Sequence, residues 1–375
     1  MPADSQPSAA LREPIVALLG RPDAPTDALE DYCNCLKRAL DRQGQPMEIM
    51  RVPWATDGWM GGLAWVRREA RNWRGKWVLL QYTALGWSRR GFPLGAAAVL
   101  WIARHRGTKC AIVFHDALPF GGTRLIDRFR RSVQIWVMRR IYGLSKYAII
   151  TVPVERAGWL PLPATKAAFI PIAANLSGTI TRLTNSGSVR EGKSPKTVAV
   201  FGVTGSPRLL PETELIAQVI RPAAEKLRGL RLLVLGRNAE DSAAPLRAAL
   251  AGTNVELEVH GVLPADEIER RLSDADALLF VRGGISSRRG SALAGIACGL
   301  PVVAFEGAET GPPVTEAGVV LAPEGDRTTL AGNLTRVLSD DVLRSDLRRR
   351  SLEAREKYFS WDVIARKFLQ VLDND

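Results

Sequence analysis

The chain has little of what binds metals or cross-links a fold. Its 375 residues hold four cysteines and three histidines. Four cysteines in a chain of this length do not make a disulfide scaffold. Cys33 and Cys35 are two apart in a helical pattern and so point to different sides, while Cys110 and Cys298 sit in apolar runs and read as core. His105, His115 and His260 are too scattered for a zinc cluster, so no metal and no other bound cofactor is expected. Long hydrophobic runs are missing too. The longest uncharged apolar stretch, Gly91 to Ala103, is too short to span a bilayer, and the first residues lack an apolar signal region. These absences point to a reducing cytoplasm, with the protein either free there or peripheral at the inner face of the membrane. Neither the Gly-x-Gly-x-x-Gly fingerprint nor a P-loop occurs, which argues against a nicotinamide enzyme and a P-loop nucleotidase.

What is present is an ordinary globular composition, 46% hydrophobic and 24% charged, which excludes a disordered chain. At roughly 150 residues per domain, two domains are expected. The charge is less ordinary. The net is +12, and it is unevenly placed: residues 1–192 carry 27 basic and 14 acidic residues, a net of +13, and the remainder 24 and 25, a net of −1. A basic partner surface, if the protein has one, belongs to the first half.

Residues 1–13 read as a flexible tail. Ile15–Leu19 reads as a buried strand, followed by a turn and a helix with Asp27 as N-cap and Gly44 at its end. Trp77–Tyr82, Cys110–Phe114, Tyr147–Val152 and Ala168–Ile172 are further strands, with Gly91–His105 a helix between the first two. Ser177–Lys196, rich in Ser, Thr, Gly and Lys, reads as a linker. The alternation then restarts, with strands at Thr197–Val203, Leu230–Leu235, Val255–His260, Ala277–Val281, Pro301–Phe305 and Val319–Leu321. The expected organisation is α/β: Rossmann-like, doubly wound domains over 14–176 and 197–345, joined by a linker at 177–196 and followed by C-terminal helices over 346–375. Such domains bind ligands at the C-terminal ends of their strands, around a cleft.

Four segments could carry chemistry. In Phe280–Phe305, a strand gives way to a turn with Gly283, Gly284, Ser286, Ser287, Arg288, Arg289, Gly290 and Ser291, then to a small-residue helix over Ser291–Cys298. Helix-start N–H groups, hydroxyls and guanidinium groups suit an anion, and arginine's planar fork suits phosphate. A solvated turn with a capping serine is the plainer reading. The pair His115-Asp116 follows a strand; the histidine could hydrogen-bond a polar substrate or be a satisfied loop residue. Thr123–Leu144 alternates six arginines with large apolar residues; it reads as a basic amphipathic helix for an anionic membrane surface, or as a solvated surface helix. No nucleic-acid motif accompanies the basic residues, so nucleic acid is not an expected partner. Tyr82–Phe92 sets aromatics beside Arg89 and Arg90, which suits a sugar or lipid-phosphate acceptor and suits core packing equally.

Taken together, these residues resemble a family-4 glycosyltransferase of the GT-B fold over nearly the whole chain. The most specific likeness is Ala297-Cys298-Gly299-Leu300-Pro301-Val302-Val303-Ala304, which resembles the family's helix–strand joint. His260-Gly261-Val262-Leu263-Pro264 and Leu272-Ser273-Asp274-Ala275-Asp276 are similar to the segment before the donor strand. Phe359-Ser360-Trp361-Asp362 resembles the element opening a C-terminal helix that crosses back to the N-domain, and Pro171–Leu176 the lead into the linker. The resemblance implies two Rossmann-like domains facing across a cleft and a retaining transfer from a nucleotide diphosphate sugar. It places His115 at the transferred sugar, and Arg208 and Arg288 at the leaving group. It places the donor against Gly202, Gly283, Gly284, Ser286, Ser287, Arg289, Gly290 and Ser291, and the acceptor near Thr26, Asp27, Tyr82, Arg89 and Asp116. The implied acceptor is a lipid-linked or cell-surface glycan precursor. The chain also departs from the pattern. The family's two donor glutamates fall at Ser286 and Ala294, and its arginine after the first donor-domain strand falls at Val203. A catalytically inactive binding or scaffold protein is therefore the alternative, and a sugar-nucleotide epimerase a weaker one.

Overall fold

The computed structural model describes residues 13–24, 26–176 and 195–373. The expected tail up to residue 12 and the linker over 177–194 lie outside them. The chain divides into two compact units, one comprising residues up to Ile170 together with Ile364 onward, the other Pro171–Val363.

The first unit is built on a six-stranded parallel sheet. Its strands are β1 (Ile15–Leu19), β2 (Met47–Arg51), β3 (Trp77–Tyr82), β4 (Lys109–Phe114), β5 (Tyr147–Ile150) and β6 (Ala167–Phe169), in the order β2-β1-β3-β4-β5-β6. All five residues of β1 are buried, and so are five of the six in β3 and in β4. Parallel strands covered on both faces need such continuous apolar runs, which is why the sequence displays them. The register sets Ala17 beside Leu79, and Leu80 beside Ile112.

Helix α1 (Ala28–Arg42) starts where Asp27 accepts from the N–H groups of Leu29 and Glu30, and it buries Cys33, Leu36 and Leu40. Two elements have no counterpart in the sequence reading. In β2 only Met47 is buried, because it is the edge strand and shows no apolar run. Helix α2 (Trp54–Glu69) is interrupted at Gly58, whose φ of 65° breaks the helical period. Helix α3 (Leu94–His105) begins three residues later than the sequence reading has it, because Pro93 occupies the N-cap. Helix α4 (Leu125–Leu144) follows, with the backbone N–H of Arg124 donating to Asp127.

The second unit repeats the architecture with β7 (Lys196–Phe201), β8 (Leu230–Leu235), β9 (Val255–His260), β10 (Ala277–Gly284), β11 (Val302–Phe305) and β12 (Val319–Ala322) in the order β12-β11-β10-β7-β8-β9. The helices are α5 (Leu209–Leu227), α6 (Ala239–Ala249), α7 (Ala265–Ser273), α8 (Gly290–Ala297), α9 (Arg327–Ser339), α10 (Asp341–Ala354) and α11 (Trp361–Asp373), the last running on past the unit. The chain winds outward from β7 through β8 to β9, then crosses to β10 on the other side of β7. That reversal makes the β7–β10 junction the switch point, where loops leave adjacent strands in opposite directions and open a crevice. Within the same unit two distant segments singled out in the sequence meet, since the indole N–H of Trp361 donates to the carbonyl of Ala174 at 2.8 Å.

Candidate functional site

The loops at the β7–β10 switch point have a one-sided composition. Residues 202–208 and 282–291 contain Arg208, Arg282, Arg288 and Arg289 and no acidic residue. The loop after β7 is fixed from beneath. The N–H of Thr204 donates to the buried Glu212 of α5 at 3.0 Å, and the amide of Asn238 donates to the carbonyl of Val203 at 2.9 Å. Arg208 then stands exposed at the start of α5. Gly202 has φ +77°, and a Cβ there would lie 3.1 Å from Nη1 of Arg282. Glycine thus lets the end of β7 turn and leaves room for the Arg282 guanidinium over it. The sequence reading passed over Arg282; its signal was a single charged residue directly after five buried ones in β10.

The loop after β10 is pinned by a close backbone crossing. A Cβ on Gly284 would lie 2.5 Å from Cα of Gly307, in the loop after β11, so this crossing requires glycine. Thr310 seals it, donating to the carbonyl of Ile285 at 2.6 Å and accepting from the N–H of Gly307 at 2.9 Å.

The side chains of Ser286 and Ser287 do not reach the loop surface, because both residues are completely buried. This corrects the expectation that their hydroxyls meet a donor. The Ser286 hydroxyl donates to Glu309 at 3.2 Å, and the Ser287 carbonyl accepts from Ile172 at 3.1 Å. They shape the loop from below. Glu309 is the residue the sequence reading missed. It is buried, and its two carboxylate oxygens lie 2.9 and 2.8 Å from Nε of Arg288. Arg288 is therefore not the independent cation the sequence implied. Its Nε edge is spent on Glu309, and the Nη end is left to face another anion. Beyond it, α8 opens at Gly290, with Ser291 partly exposed. The first N–H groups of a helix lack intrahelical acceptors and carry the positive end of its dipole. Backbone donors and guanidinium groups thus share one loop, with Gly202, Gly283, Gly284, Arg289, Gly290 and Ser291 all at or beside the switch point.

In the first unit, His115 and Asp116 stand at the end of β4 and Tyr82 at the end of the adjacent β3. Nε2 of His115 lies 2.8 Å from Oε1 of Gln81, and its ring meets Tyr32 edge-on at 4.7 Å. The Gln81 carboxamide and the Tyr32 ring together fix the orientation of the imidazole. Asp116 accepts from the N–H of Ala84 at 2.8 Å. Tyr82 departs from expectation. It is fully buried against Phe114, its hydroxyl has no hydrogen-bond partner, and burial pushes that hydroxyl's pKa up. It packs the core and presents nothing to an acceptor. Asp27 is occupied by its cap and by Arg51 at 2.8 Å, with Thr26 partly exposed beside it. Arg89 is exposed, close enough to Arg21 for the two charges to repel.

Among the described residues no group of three or more His, Cys, Asp or Glu is placed to hold a metal ion. All four thiols are buried and all are pushed up by burial, Cys110 and Cys298 to about 12.

With this geometry in place, comparison with known proteins adds three findings. Residues 202–340 match the family model for glycosyl transferases group 1. No curated protein matches the sequence. Solved structures are similar over nearly the whole chain. HepE of Anabaena in complex with UDP and glucose is 14% identical, at TM-score 0.64 over 97% of this chain and 100% of that one. Sucrose-phosphate synthase of Thermosynechococcus elongatus is 17% identical, at TM-score 0.68 over 97% and 99%. The UDP-GlcNAc 2-epimerase of Neisseria meningitidis is 10% identical, at TM-score 0.57 over 97% and 100%. The fold is GT-B, with two Rossmann-like domains, and that fold houses transferases and an epimerase alike. The family match is narrower, and it begins at Gly202, the first residue of the switch-point loops.

Proposed function

We propose that the protein transfers a sugar from a nucleotide diphosphate sugar, held by the second unit, to an acceptor bound by the first. The observation that carries this is the pair of loops at the β7–β10 switch point, with four arginines, no acidic residue and the start of α8, all inside the matched family segment. A diphosphate placed there meets Arg208, Arg282 and the Nη end of Arg288. These cations offset charge that grows on the leaving group as the glycosidic bond stretches. HepE, similar in fold, is recorded with UDP.

The chemistry we infer is retaining, by front-face displacement. The bond from the anomeric carbon to the diphosphate oxygen breaks, and the electron pair leaves with the nucleotide. The acceptor hydroxyl oxygen forms the new bond on the same face and passes its proton to the departing phosphate. Front-face displacement needs no enzymic carboxylate base, because the departing phosphate takes the acceptor's proton. His115 is proposed to hydrogen-bond the transferred sugar, its ring oriented by Gln81 and Tyr32. The acceptor is proposed to be a lipid-linked or cell-surface glycan precursor, met by Thr26, Arg89 and Asp116.

A specific observation favours a second reading, a binding protein without catalysis. The resemblance puts at position 294 a glutamate that hydrogen-bonds the nucleotide ribose; here it is Ala294, buried and unable to do so.

A thermal-shift screen against UDP, GDP, ADP, TDP, CMP and their sugar conjugates, with Arg288→Ala in parallel, decides between them. The transferase reading expects one nucleotide to stabilise the wild type, by about 2.7 kcal/mol at a hundredfold excess over Kd, and Arg288→Ala to lose the shift. No shift with any nucleotide favours the binding-protein reading.

A further inference from the structure

Helix α4 has two apolar faces, and only one of them is used. At about 100° of rotation per residue, Gln134, Val137, Met138 and Ile141 fall on one side, and all four are buried. The opposite side of an ordinary surface helix is polar. Here it is a ridge of Leu125, Phe129, Ser132 and Trp136, with Leu125 81% exposed, Phe129 60% and Trp136 56%. Helix α3 extends the apolar surface with exposed Leu94 and Trp101. Between the helices lies a groove of about 420 Å³ lined by Phe92, Leu94, Phe129, Ser132, Val133 and Trp136.

The groove wall is held in place. Nε of Arg130 donates to the carbonyl of Arg90 at 2.9 Å, and its guanidinium lies over the rings of Phe120 and Phe92 at 4.8 and 5.8 Å. Gln134 donates to the carbonyl of Gly91 and accepts from the N–H of Phe120.

The charge around the ridge has one sign. By the same rotation, Arg128 and Arg139 flank it on one side and Arg140 on the other. Asp127 is the one acidic residue on α4, and it is paired with Arg130 at 3.0 Å. No carboxylate among the described residues forms an ion pair with Arg128, Arg131 or Arg140.

We propose that this face docks on an anionic lipid bilayer. The ridge of Leu125, Phe129 and Trp136 enters the boundary between headgroups and acyl chains, the arginines meet lipid phosphates, and the groove takes a segment of acyl chain. The charge pattern selects this occupant, because a second copy of the chain would bring arginines against arginines. No helix among the described residues is long and apolar enough to cross a membrane, so the contact is with the surface. The inference deepens the lipid-linked acceptor reading above and rests on it for a biochemical reason to sit at a bilayer. The surface itself needs no live donor site.

The test is co-sedimentation of the full chain with vesicles of phosphatidylcholine, with and without phosphatidylglycerol, at low and high salt. Binding is expected with phosphatidylglycerol and is weakened by salt. Replacing Arg128 and Arg140, which flank the ridge on its two sides, by Gln lowers it about fivefold per arginine, roughly twenty-five-fold together. Phe129→Ser with Trp136→Ser lowers it at least about tenfold through lost apolar burial, with unchanged thermal unfolding because both side chains are exposed. Nucleotide binding by these variants, measured alongside, separates a failed membrane surface from a failed donor site. Absence of binding to phosphatidylglycerol vesicles, or binding indifferent to both variants, overturns the proposal. So does self-association of the wild type that the Phe129/Trp136 variant loses, which assigns the face to a second copy.

Discussion

Asp27 shows how one side chain's partners decide its role. Its carboxylate caps α1 and pairs with Arg51, so its contribution is to stability. Asp27→Ala is expected to cost about 1–2 kcal/mol in denaturant unfolding, and Asp27→Asn, which still caps, much less. Glu309 is the opposite case, a structural contact with functional consequence. Glu309→Ala leaves the largely buried Arg288 charge without its partner and is expected to cost roughly 3 kcal/mol. Glu309→Gln keeps an acceptor but releases the ionic hold on Nε. The expected outcome is a Kd for the nucleotide diphosphate raised about tenfold, with unfolding little changed. The cysteines carry no chemistry. With Cys110 and Cys298 pushed up to about 12, their thiolate at pH 8 is about one part in ten thousand. Iodoacetamide is expected to leave both untouched in the folded protein and to label all four in urea. At this scale the sequence was legible for local contacts. Asp27 as a cap is written in residues 27–30. Glu309 was not legible, because its partners Ser286 and Arg288 lie 23 and 21 residues away, across a strand and a helix.

Elements were legible in proportion to their burial. Strands β1, β3 and β8 lie where their apolar runs lie. Strand β2 escaped because an edge strand needs no such run, and α2 because Gly58 breaks its period. The segment His260–Pro264 resembles a family motif, and the structure gives it a structural task. Glu258 lies 2.7 Å from Nε2 of His260 and 2.5 Å from Arg271, tying β9 to α7. The His260 contact first, and Arg271 with it, hold the Glu258 pKa below the ordinary glutamate value. A carboxyl lowered on folding stabilises above its unfolded pKa, and that stability is lost as pH falls through the folded value. The unfolding midpoint is therefore expected to fall as the pH drops through and below the ordinary glutamate range, with a shallower fall in Glu258→Gln. An unchanged slope in that variant would remove the tie from the account.

At the scale of the whole molecule, the two units share an architecture and divide their charge. The first half carries the net of +13, and α4 concentrates five arginines beside an apolar ridge. The second unit is near neutral, yet its switch-point loops are wholly basic. Two α/β domains were legible because short apolar strands alternate with helical patterns in both halves. Which residues form the face of the loop after β10 was not, since Ser286 and Ser287 are buried beside the crossing of Gly284 with Gly307. Solved structures only 10–17% identical keep the fold, so the overall path of the chain tolerates wide change in sequence.

The loops after β7 and β10 are proposed to bind a nucleotide diphosphate through Arg208, Arg282 and Arg288. Calorimetric titration of the stabilising nucleotide into wild type and into each arginine-to-alanine variant tests it directly. One site per chain is expected, with Kd raised about tenfold or more by each substitution, as for loss of a charge-assisted hydrogen bond. Binding that is absent, or that survives all three substitutions unchanged, would contradict it.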